Sequence, residues 1–577
     1  MLKSVKSIEQ DSRVKFLLLV VFITLISAAP RLHQIGWQII SDDEWHAVKI
    51  VNEYSYGYIF THFEYADNCI PMSLIYELFQ NTIGLNEITL RVLQIIAGLL
   101  MVPVFVYIAR KYIGQWSALF LGVLLAASPF LIYYSRYARP YIFVVFLSFL
   151  ALMSFYEWMR SGGKRNIYSY VACGVLAVYF NQASFPLIAS PLAYGLIVLF
   201  LKCKSPDRCQ FNHSLRGILG AGAGLVVGIM AWFLPAMGSV GAMGSKVGRG
   251  EVDLSTLVGF LRILNGFGSM PIVVALMVLA IAGSFWLIRD NKELGCYLLT
   301  IITVQVVSVI IVGPMAIDEA VVFMRYNIGI MPFYFILVAI GIVGFVRSVP
   351  GFPGGLKISE GAGTVACIVL YLVVNILFSP NMNVYASVNS FTSHNDYQSD
   401  YTSFACNEKT KKELVSPFYQ ELAKEASGTK IIEFPYLVPW DGNFYHYYQG
   451  IHGKKVYIGY HEPYYTVPPY AGDHYVKLKN YVNIASDDEV RRTSAKYLVI
   501  HKFFTTEAFQ LRSLLAADSQ YDMIVRKTLI SFDNEYGVYA RDLISHAAGD
   551  SLMRFGRPIY EDGWIVVFGL SRITDDR

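Results

Sequence analysis

The chain is long, apolar and close to electrically neutral. Its 577 residues are 55% hydrophobic and only 16% charged, with a formal net charge of +4, whereas soluble proteins average about 25% charged residues. This composition predicts an integral membrane protein and argues against a nucleic-acid partner. The seven cysteines form no CxxC pair and no His/Cys zinc spacing, so no sulfur-bound cofactor is expected.

The first apolar segment follows a basic N-terminal stretch. Four basic residues between Lys3 and Lys15 precede an apolar run from Phe16 to Ile26, and small residues follow that run. A signal peptide has the same order of features, but an uncleaved first membrane span is the favoured interpretation.

Three consecutive acids, Asp42, Asp43 and Glu44, come shortly after this span. Three carboxylates do not belong in hydrocarbon, so they mark a return of the chain to water at a membrane surface. Carboxylates held there are candidate acid/base groups. The alternative interpretation is a solvated helix N-terminus, because the helix dipole alone favours acids in a first turn.

His46 lies four residues after Asp42, so the two side chains would share one face of a helix. Such a pair is a candidate proton relay or divalent-cation pair. Two ligands are too few to define a metal site. Metal-independent catalysis is therefore favoured, with a hydrated Mg²⁺ or Mn²⁺ as the alternative.

Apolar segments long enough to cross about 30 Å of hydrocarbon recur along the first 379 residues. They predict about eleven transmembrane helices, near residues 15–30, 88–110, 115–132, 139–159, 166–181, 183–202, 216–236, 271–289, 294–313, 324–346 and 362–379. Basic loops alternate with less basic ones along this region. The positive-inside rule therefore puts the N-terminus and the loops at 110–111, 160–165, 202–216, 289–292 and 347–357 in the cytoplasm.

With this topology, residues 31–87, the loop 237–270 and the tail from residue 380 lie on the outer face. Within the first outer loop, residues 43–60 and 71–79 carry apolar and aromatic residues that predict helices lying along the membrane interface. These segments would hold the three acids over the helical bundle.

From residue 380 onward the sequence becomes polar and rich in tyrosine. Strands are predicted at 430–434, 455–460, 496–501, 537–541 and 564–569, and helices at 411–426 and around 506–516. This alternation predicts a soluble α/β domain of residues 380–577 after a transmembrane domain of residues 1–379. The tyrosine clusters at 445–448 and 460–470 are expected to build loops and edges, with sugar stacking as the alternative.

Four arginines at the predicted outer ends of spans run against the positive-inside bias. Arg136 and Arg139 precede the fourth span, Arg91 begins the second, and Arg325 begins the tenth. Such arginines either snorkel to lipid headgroups or bind an anion, and a guanidinium suits bidentate phosphate contact. Acids bordered by these cations indicate a base that activates an acceptor hydroxyl while arginines stabilise a departing lipid phosphate.

The order of these motifs resembles the GT-C class of membrane glycosyltransferases, and within it the protein O-mannosyltransferase-like family that includes the lipid A aminoarabinose transferases. The resemblance covers residues 1 to about 345 and is most specific over residues 86–150. The matching motifs are Asp43-Glu44, Pro71, Arg91, Tyr134-Ser135 with Ala138-Arg139 and Tyr141, and Arg325-Tyr326 with Pro332.

The resemblance implies a GT-C helical bundle, a polyprenyl-phosphate sugar donor, an extracytoplasmic site and inversion at the anomeric carbon. Asp43 is the implied base, since the matching acid pair is either Asp42-Asp43 or Asp43-Glu44. The acceptor would be a lipid, glycan or protein hydroxyl, no cofactor would be required, and the enzyme would lie in the plasma or inner membrane. The candidate phosphate ligands are Arg139, Arg136, Arg325 and Arg91, and the candidate substrate contacts are Tyr141, Tyr134, His46 and Tyr326.

The chain differs from many of these relatives at three places. Cys69-Ile70-Pro71 stands where an outer-loop His-Pro-Pro is common, Tyr137 where an acid often precedes Ala-Arg, and Asn181-Gln182 where a His often follows the fifth span. These differences bear on the acceptor and on any metal site rather than on the fold.

Two other classes of protein share part of this pattern. A transporter also has polar residues among its spans, but the sequence shows no clear internal repeat. A non-catalytic protein that binds sugar lipids or glycans through its outer domain is the second alternative. Only Cys69 and Cys406 are predicted to lie outside; two unpaired thiols are favoured over a disulfide between them.

Overall fold

A computed structural model describes residues 2–570 except 39–43, 45–46, 48–49, 52–53, 64–68, 203–207, 245–247, 249, 349–358, 383–384, 386–415, 435–444, 462–480 and 503–536. The chain forms two compact units. The membrane unit comprises Met1–Leu32, Tyr54–Ile75 and Arg91–Met382, and the α/β unit comprises His33–Glu53, Tyr76–Leu90 and Asn383–Arg577.

Up to residue 382, the part of the chain that the structure describes forms mainly α-helices and short 3₁₀ turns. The helices are α1 (Leu2–Leu32), α2 (Tyr56–Thr61), α3 (Ile70–Thr82), α4 (Glu87–Ile113), α5 (Gln115–Ala127), α6 (Pro129–Ser135), α7 (Tyr141–Ser161), α8 (Lys164–Phe180), α9 (Phe185–Lys202), α10 (Arg208–Phe233), α11 (Gly241–Gly244), α12 (Leu254–Asn265), α13 (Met270–Asp290), α14 (Lys292–Val312), α15 (Ala320–Asn327), α16 (Met331–Ser348) and α17 (Glu360–Phe378). The 3₁₀ turns are Gln182–Ser184, Leu234–Ser239, Ile328–Ile330 and Pro380–Met382.

Within the described part of the chain, nine helical segments are long and apolar enough to cross a membrane, and the bent pair α5–α6 makes a tenth if it is one span. The remaining predicted span is α8, whose 17 residues extend only about 25 Å. Each predicted span therefore has a helix, and the predicted polytopic α-helical protein is confirmed. The lower count has two causes, a bend in one span and the shortness of another.

The bend between α5 and α6 follows from Ser128 and Pro129. Ser128 Oγ accepts a hydrogen bond from the N–H of Leu131 at 3.5 Å and so caps α6. Pro129 has no N–H to continue the hydrogen bonding of α5, and it occupies the first position of α6, where none is needed. The helix axis turns by 60° here, which leaves the last carbonyl groups of α5 without helical partners.

Helices α13 and α16 cross at two glycines. A Cβ atom on Gly283 would lie 1.9 Å from the carbonyl oxygen of Leu337, and one on Gly341 would lie 2.0 Å from that of Leu279. No side chain fits at either position. The two backbones therefore touch, as they do in membrane helix pairs that pack through small residues.

Three of the predicted basic loops, at 110–111, 160–165 and 289–292, lie at one end of the membrane unit. Lys111 Nζ lies 2.6 Å from Glu157 Oε1, and Tyr112 Oη donates to Glu157 Oε2 at 2.5 Å, which joins the ends of α4 and α7. Tyr156 Oη donates to Asn291 Oδ1 at 3.4 Å and links the turn between α13 and α14 to the same end. This clustering agrees with the alternation of loops on which the predicted topology rests.

The segment predicted as the first outer loop contains helices, but the helix predicted over 43–60 is interrupted at Tyr54 and Ser55. Besides α2 and α3, residues 44, 47, 50 and 51 are helical and buried. Whether these segments lie along a membrane interface stays a prediction.

The α/β unit holds a six-stranded sheet in the order β3-β2-β1-β4-β6-β5. Its elements are α18 (Pro417–Lys424), β1 (Lys430–Phe434), α19 (Tyr445–His452), β2 (Lys455–Tyr460), β3 (Tyr481–Asn483), α20 (Asp487–Thr493), β4 (Tyr497–His501), α21 (Gly537–Phe555), β5 (Tyr560–Glu561) and β6 (Ile565–Gly569). Strands β1 to β4 pair in parallel, with Ile432 opposite both Tyr457 and Leu498, and β6 runs antiparallel to β4 and β5. The predicted α/β class is confirmed.

One predicted strand is wrong, because residues 537–541 begin helix α21 rather than a strand. Farther along this helix, Ala547, Ser551 and Phe555 are buried at a spacing of four residues, and Ala547 and Phe555 pack against the sheet. Packing of this helical face overrides the strand preference of a five-residue segment. The helix predicted at 411–426 is present as α18, whereas the one around 506–516 falls outside the described residues.

Candidate functional site

A buried connector of five residues, 136–140, joins α6 to α7. Connectors usually lie at a surface, because a buried one must find partners for its backbone polar groups. Here the N–H of Arg136 donates to Tyr133 O at 2.9 Å and that of Arg139 donates to Tyr137 O at 2.7 Å. The connector thus holds two arginine side chains that are almost fully buried, which is an expensive arrangement typical of functional sites.

Arg136 joins this connector to the end of the first helix. Its Nη1 donates to Pro30 O at 2.7 Å and to Arg31 O at 3.3 Å. These carbonyl groups belong to the last turn of α1, where a cation is favoured by the helix dipole and where the carbonyls have no helical partners. The hydrogen bonds of Arg136 Nη1 therefore stabilise the fold by joining the connector to the end of α1.

Arg31, which the sequence analysis did not select, is fully buried beneath the connector. Its Nη1 and Nη2 donate to Ala126 O at 3.1 Å and Leu125 O at 3.2 Å, so the guanidinium caps the end of α5 at its bend. The same side chain donates to Ser27 Oγ at 2.7 Å and to Ser135 Oγ at 3.2 Å. From the sequence alone, Arg31 at the end of the first span could not be distinguished from an arginine that snorkels to lipid headgroups.

Two asparagines complete the cap of α5. Asn381 Nδ2 donates to Ala127 O at 2.6 Å and Asn375 Nδ2 donates to the same oxygen at 3.2 Å. Gly98 lies beside this network, and a Cβ atom there would be 2.1 Å from Ser135 Oγ. The bend, and with it the path of the connector, is therefore held from α1, α4 and α17.

Arg325 and Tyr141 come together although they are 184 positions apart in the sequence. The guanidinium carbon of Arg325 lies 6.0 Å from the centre of the Tyr141 ring, within the range of a cation–π contact. The Tyr134 ring meets the Tyr141 ring edge to face at 4.7 Å. The fold thus gathers Arg325, Tyr141 and Tyr134 beside the connector that carries Arg139, at the end of α7 opposite the basic loops.

Tyr137, which stands where relatives often have an acid, belongs to this aromatic group. Its ring stacks on that of Tyr133 at 4.8 Å. An aromatic side chain here makes the surroundings of Arg139 less polar than a carboxylate would. We therefore expect the electrostatic environment of the connector to differ from that in relatives with the acid.

Some of the remaining predicted site residues are described by the structure, and others lie outside the described residues. Glu44 is helical and buried in the α/β unit, and Arg91 is buried near the start of α4. Tyr326 is half-buried in α15. The predicted base Asp43, its neighbour Asp42, and His46 lie outside the described residues, as does Cys406, so their roles stay predictions.

No metal centre is formed by the residues that the structure describes, since no three or more His, Cys, Asp or Glu side chains are grouped to hold an ion. The predicted alternative, a divalent cation at Asp42 and His46, concerns residues beyond those ranges. It stays an open prediction for the same reason.

The α/β unit contains a second buried polar group, which the sequence analysis did not identify. His501 Nε2 forms a short hydrogen bond with Glu433 Oε2, and Tyr419 Oη donates to Glu433 Oε1 and Oε2 at 3.1 and 3.0 Å. Tyr448 stacks on Tyr419 with ring centres 4.5 Å apart. An acid near the end of β1 and a histidine ending β4, both in otherwise apolar buried strands, were the signal available in the sequence.

His452 also stacks on this aromatic group, with its ring centre 5.5 Å from that of Tyr419. Its Nδ1 accepts a hydrogen bond from the N–H of Lys454 at 2.9 Å. Burial lowers the pKa of His452 to about 3, and the positive charge of Lys454 acts in the same direction. His452 is therefore neutral at every ordinary pH.

Residues 69–206 match the family described as dolichyl-phosphate-mannose-protein mannosyltransferase. The matched region runs from α3 to α9. It contains the buried connector with Arg136 and Arg139, the aromatic partners Tyr134 and Tyr141, and Arg91. The predicted resemblance to protein O-mannosyltransferases is confirmed for this part of the chain.

Three solved structures are similar to the chain at low sequence identity. ArnT from Cupriavidus metallidurans in the apo state is 10% identical with a TM-score of 0.44, over 99% of this chain and 100% of that one. The same protein bound to undecaprenyl phosphate is 11% identical with a TM-score of 0.42, over 98% and 99%. The Archaeoglobus fulgidus oligosaccharyltransferase in the apo form is 14% identical with a TM-score of 0.38, over 89% and 72%. No curated protein matches the chain.

Proposed function

We propose that the protein is a membrane glycosyltransferase that moves a sugar from a polyprenyl-phosphate donor to a hydroxyl group of an acceptor outside the cytoplasm. The observation that carries the proposal is the buried connector of the family-matched region, which holds Arg139 next to the Arg325–Tyr141 contact. Buried arginines at one end of a membrane bundle are suited to a lipid-linked phosphate, because its headgroup lies at the membrane surface.

In this proposal Arg139 and Arg325 bind the donor phosphate, with Arg91 as a further candidate ligand. When the bond between the anomeric carbon and the phosphate oxygen breaks, the electron pair goes to the phosphate. Guanidinium groups in a site with little water stabilise that developing charge much more than they would in bulk solvent. Arg136, whose Nη1 binds the end of α1, would hold the connector in shape.

Asp43 is the proposed base, with Asp42 and Glu44 beside it in the sequence. It would take the proton of the acceptor hydroxyl while the oxygen attacks the anomeric carbon from the face opposite the phosphate, so that the configuration inverts. The support for this role is the acid motif and its order relative to the arginines in the sequence. The sugar-contacting groups in this scheme are Tyr141, Tyr134, Tyr326 and His46.

The proposed orientation follows the positive-inside rule. The clustered basic ends of α4, α7 and α13 face the cytoplasm of a plasma or inner membrane, and the α/β unit is extracytoplasmic. The acceptor is then a lipid, glycan or protein hydroxyl on the outer side. Neither a cofactor nor a metal takes part in the proposed steps, although Mg²⁺ or Mn²⁺ at Asp42 and His46 remains the alternative.

The first test of this proposal replaces Asp43 with asparagine. Purified wild-type protein is incubated with a panel of polyprenyl-phosphate sugars, and hydrolysis or transfer is followed by mass spectrometry. We expect Asp43→Asn to lower kcat by about 100-fold or more, because it removes a general base, with little change in donor affinity. Asp290→Asn, at an exposed ion pair of the basic end, is the matched control. Wild-type protein that turns over no donor of the panel, but takes one up into vesicles, would support a transporter instead.

The second test replaces Arg139 with alanine and measures binding of the donor phosphate. We expect donor affinity to fall about 10- to 100-fold, which corresponds to the loss of charge-assisted hydrogen bonds worth about 1.5–3 kcal/mol. Arg289→Ala, which removes an exposed arginine at the basic end, should leave affinity unchanged. Equal binding by Arg139→Ala and wild type would disprove the assigned role.

A further inference from the structure

Two interruptions of helical structure are joined by one glutamine in the membrane unit. Helices α8 and α9 are separated by the turn Gln182–Ser184, and α15 and α16 by the turn Ile328–Ile330. Gln305 lies on α14, is 1% exposed, and donates from Nε2 to Ala183 O at 3.0 Å and to Tyr326 O at 2.7 Å. It therefore supplies a donor to one carbonyl at each interruption, where helical partners are missing.

The first interruption has its own internal hydrogen bonds. Asn181 Oδ1 accepts the N–H of Ala183 at 2.9 Å, and Ser184 Oγ donates to Asn181 O at 2.8 Å. The N–H of Ser184, which shares a peptide group with Ala183 O, also donates to Asn181 O at 3.1 Å and so restrains that peptide. The turn is thus a fixed point to which Gln305 attaches.

The second interruption packs directly against α9. A Cβ atom on Gly329 would lie 2.5 Å from Leu187 Cδ2, so glycine allows a close approach at this point. Tyr326 O, the second acceptor of Gln305, is only three positions before this contact and directly follows Arg325 in the sequence. The hydrogen bond to Gln305 therefore restrains the last turn of α15, which bears Arg325.

We propose that Gln305 is a positioning residue that sets the orientation of Arg325 over the Tyr141 ring. The effect of Gln305 on substrate binding rests on the proposed function, in which Arg325 binds the donor phosphate. Gln305 touches neither donor nor acceptor. It acts by tying the helical turn that bears Arg325 to the turn between α8 and α9.

An amide is suited to this task for two reasons. Its nitrogen carries two hydrogens and can donate to two carbonyl groups at once, whereas a carboxylate can donate to neither. The amide is also neutral, so burying it between membrane helices costs much less than burying a lysine or an arginine. Leucine has a similar size without any donor, and Gln305→Leu therefore removes the two hydrogen bonds with little change in volume.

The test measures binding of undecaprenyl phosphate in detergent micelles by Gln305→Leu, Arg325→Ala and the double variant. We expect Gln305→Leu to weaken binding about 3- to 10-fold, the size of one or two lost hydrogen bonds, and to raise KM with little change in kcat. The double variant should bind no more weakly than Arg325→Ala, because Gln305 acts through Arg325. Additive losses would overturn the inference, as would unchanged binding by Gln305→Leu.

A matched control is available on the same helix. Thr300 donates to Cys296 O within α14 at 2.8 Å, so Thr300→Val removes a hydrogen bond that reaches neither interruption. It should leave binding unchanged. If Gln305→Leu lowers the melting temperature but binds undecaprenyl phosphate as Thr300→Val does, Gln305 is only structural and the inference fails.

A second readout does not need the donor. Reaction of Arg325 with phenylglyoxal, followed by mass spectrometry of the modified peptide, reports on the guanidinium itself. We expect Arg325 to react several-fold faster in Gln305→Leu than in wild type or Thr300→Val, and equal rates would overturn the inference. If wild type does not bind undecaprenyl phosphate but the rates differ as expected, the proposed function fails while the positioning role stands.

Discussion

The membrane unit and the α/β unit bury charged groups in opposite ways. In the membrane unit, Arg31 is surrounded by neutral oxygen atoms, among them the carbonyl groups of Leu125 and Ala126. In the α/β unit, Glu433 is surrounded by the side chains of His501 and Tyr419. Both centres are completely buried. The arginine binds backbone carbonyl groups that a helix bend has left without partners, and the glutamate binds side chains from strand β4 and helix α18.

The difference reflects what each architecture leaves unsatisfied. A bent membrane helix has carbonyl groups that find no water in hydrocarbon, so a cation placed there satisfies them and is itself solvated by them. A sheet satisfies its own backbone, so a buried carboxylate in a strand must find side-chain partners. Arg31 therefore satisfies backbone carbonyl groups that would otherwise lack a donor, whereas Glu433 and its partners mainly satisfy one another's hydrogen-bonding groups.

The largest expected effect comes from Arg31→Met, which removes the donors to Leu125 O and Ala126 O at the end of α5. Two buried carbonyl groups lose their donor, and we expect a loss of about 4 kcal/mol in the free energy of unfolding. The stability of Arg31→Lys should lie between those of wild type and Arg31→Met, because an ammonium group has three donors instead of five. Thermal unfolding of the purified protein in detergent is the measurement, with exposed Arg289→Met as control. A loss as small as that of the control would mean that the carbonyls of α5 do not depend on Arg31.

The second prediction tests whether the polar group of the α/β unit can be removed as a whole. Glu433→Leu alone should cost about 3 kcal/mol, because it leaves a buried partner unpaired. The triple variant Glu433→Leu, His501→Leu, Tyr419→Phe should recover most of that loss, since apolar replacement of a buried polar set is often neutral. Denaturant unfolding of the full chain, followed by a probe in the α/β unit, measures both. If the triple variant is less stable than Glu433→Leu, then these side chains also stabilise other parts of the protein and not only one another.

The smallest effect is a pH dependence confined to the α/β unit. Burial lowers the pKa of His452 from 6.5 to about 3, so between these values the unfolded chain binds a proton that the folded chain does not. Stability should therefore fall as the pH drops below about 6.5, by up to about 1.4 kcal/mol per pH unit from this group. Unfolding of wild type and His452→Phe at pH 8 and pH 5 gives the comparison. Relative to wild type, the free energy of unfolding of His452→Phe should be higher at pH 5 than at pH 8. The same difference in unfolding free energy at both pH values would contradict the prediction.

Much of the fold was predictable because its signals are local. The apolar segments predicted every span that the structure shows as a helix, and the buried strands around Ile432, Leu498 and Val567 were evident from short apolar runs. The segment 537–541 was mispredicted because its five residues by themselves favour a strand, whereas they open a 19-residue helix that packs through Ala547 and Phe555. The 60° bend at Pro129 was not predicted, although this proline lies within the predicted span 115–132.

The candidate site was predictable in part. Arg139 and Arg325 were selected because arginines at outer span ends are unusual, and Tyr141 because it belongs to a motif of the family resemblance. The fold brings Arg325 to Tyr141. Arg31 and Gln305 were not selected. An arginine at the end of a span and a lone glutamine within one have many ordinary explanations, and only their partners distinguish them.

The sequence by itself determined which segments are helices or strands, because hydrophobic periodicity, caps and prolines act over a few residues. Only the tertiary structure decided which buried polar groups meet: Arg31 with Leu125, Gln305 with Ala183, and Glu433 with His501, over separations of 94, 122 and 68 residues. The physical reason is that a buried polar atom must find a partner wherever packing provides one. Packing depends on how whole helices and strands fit together.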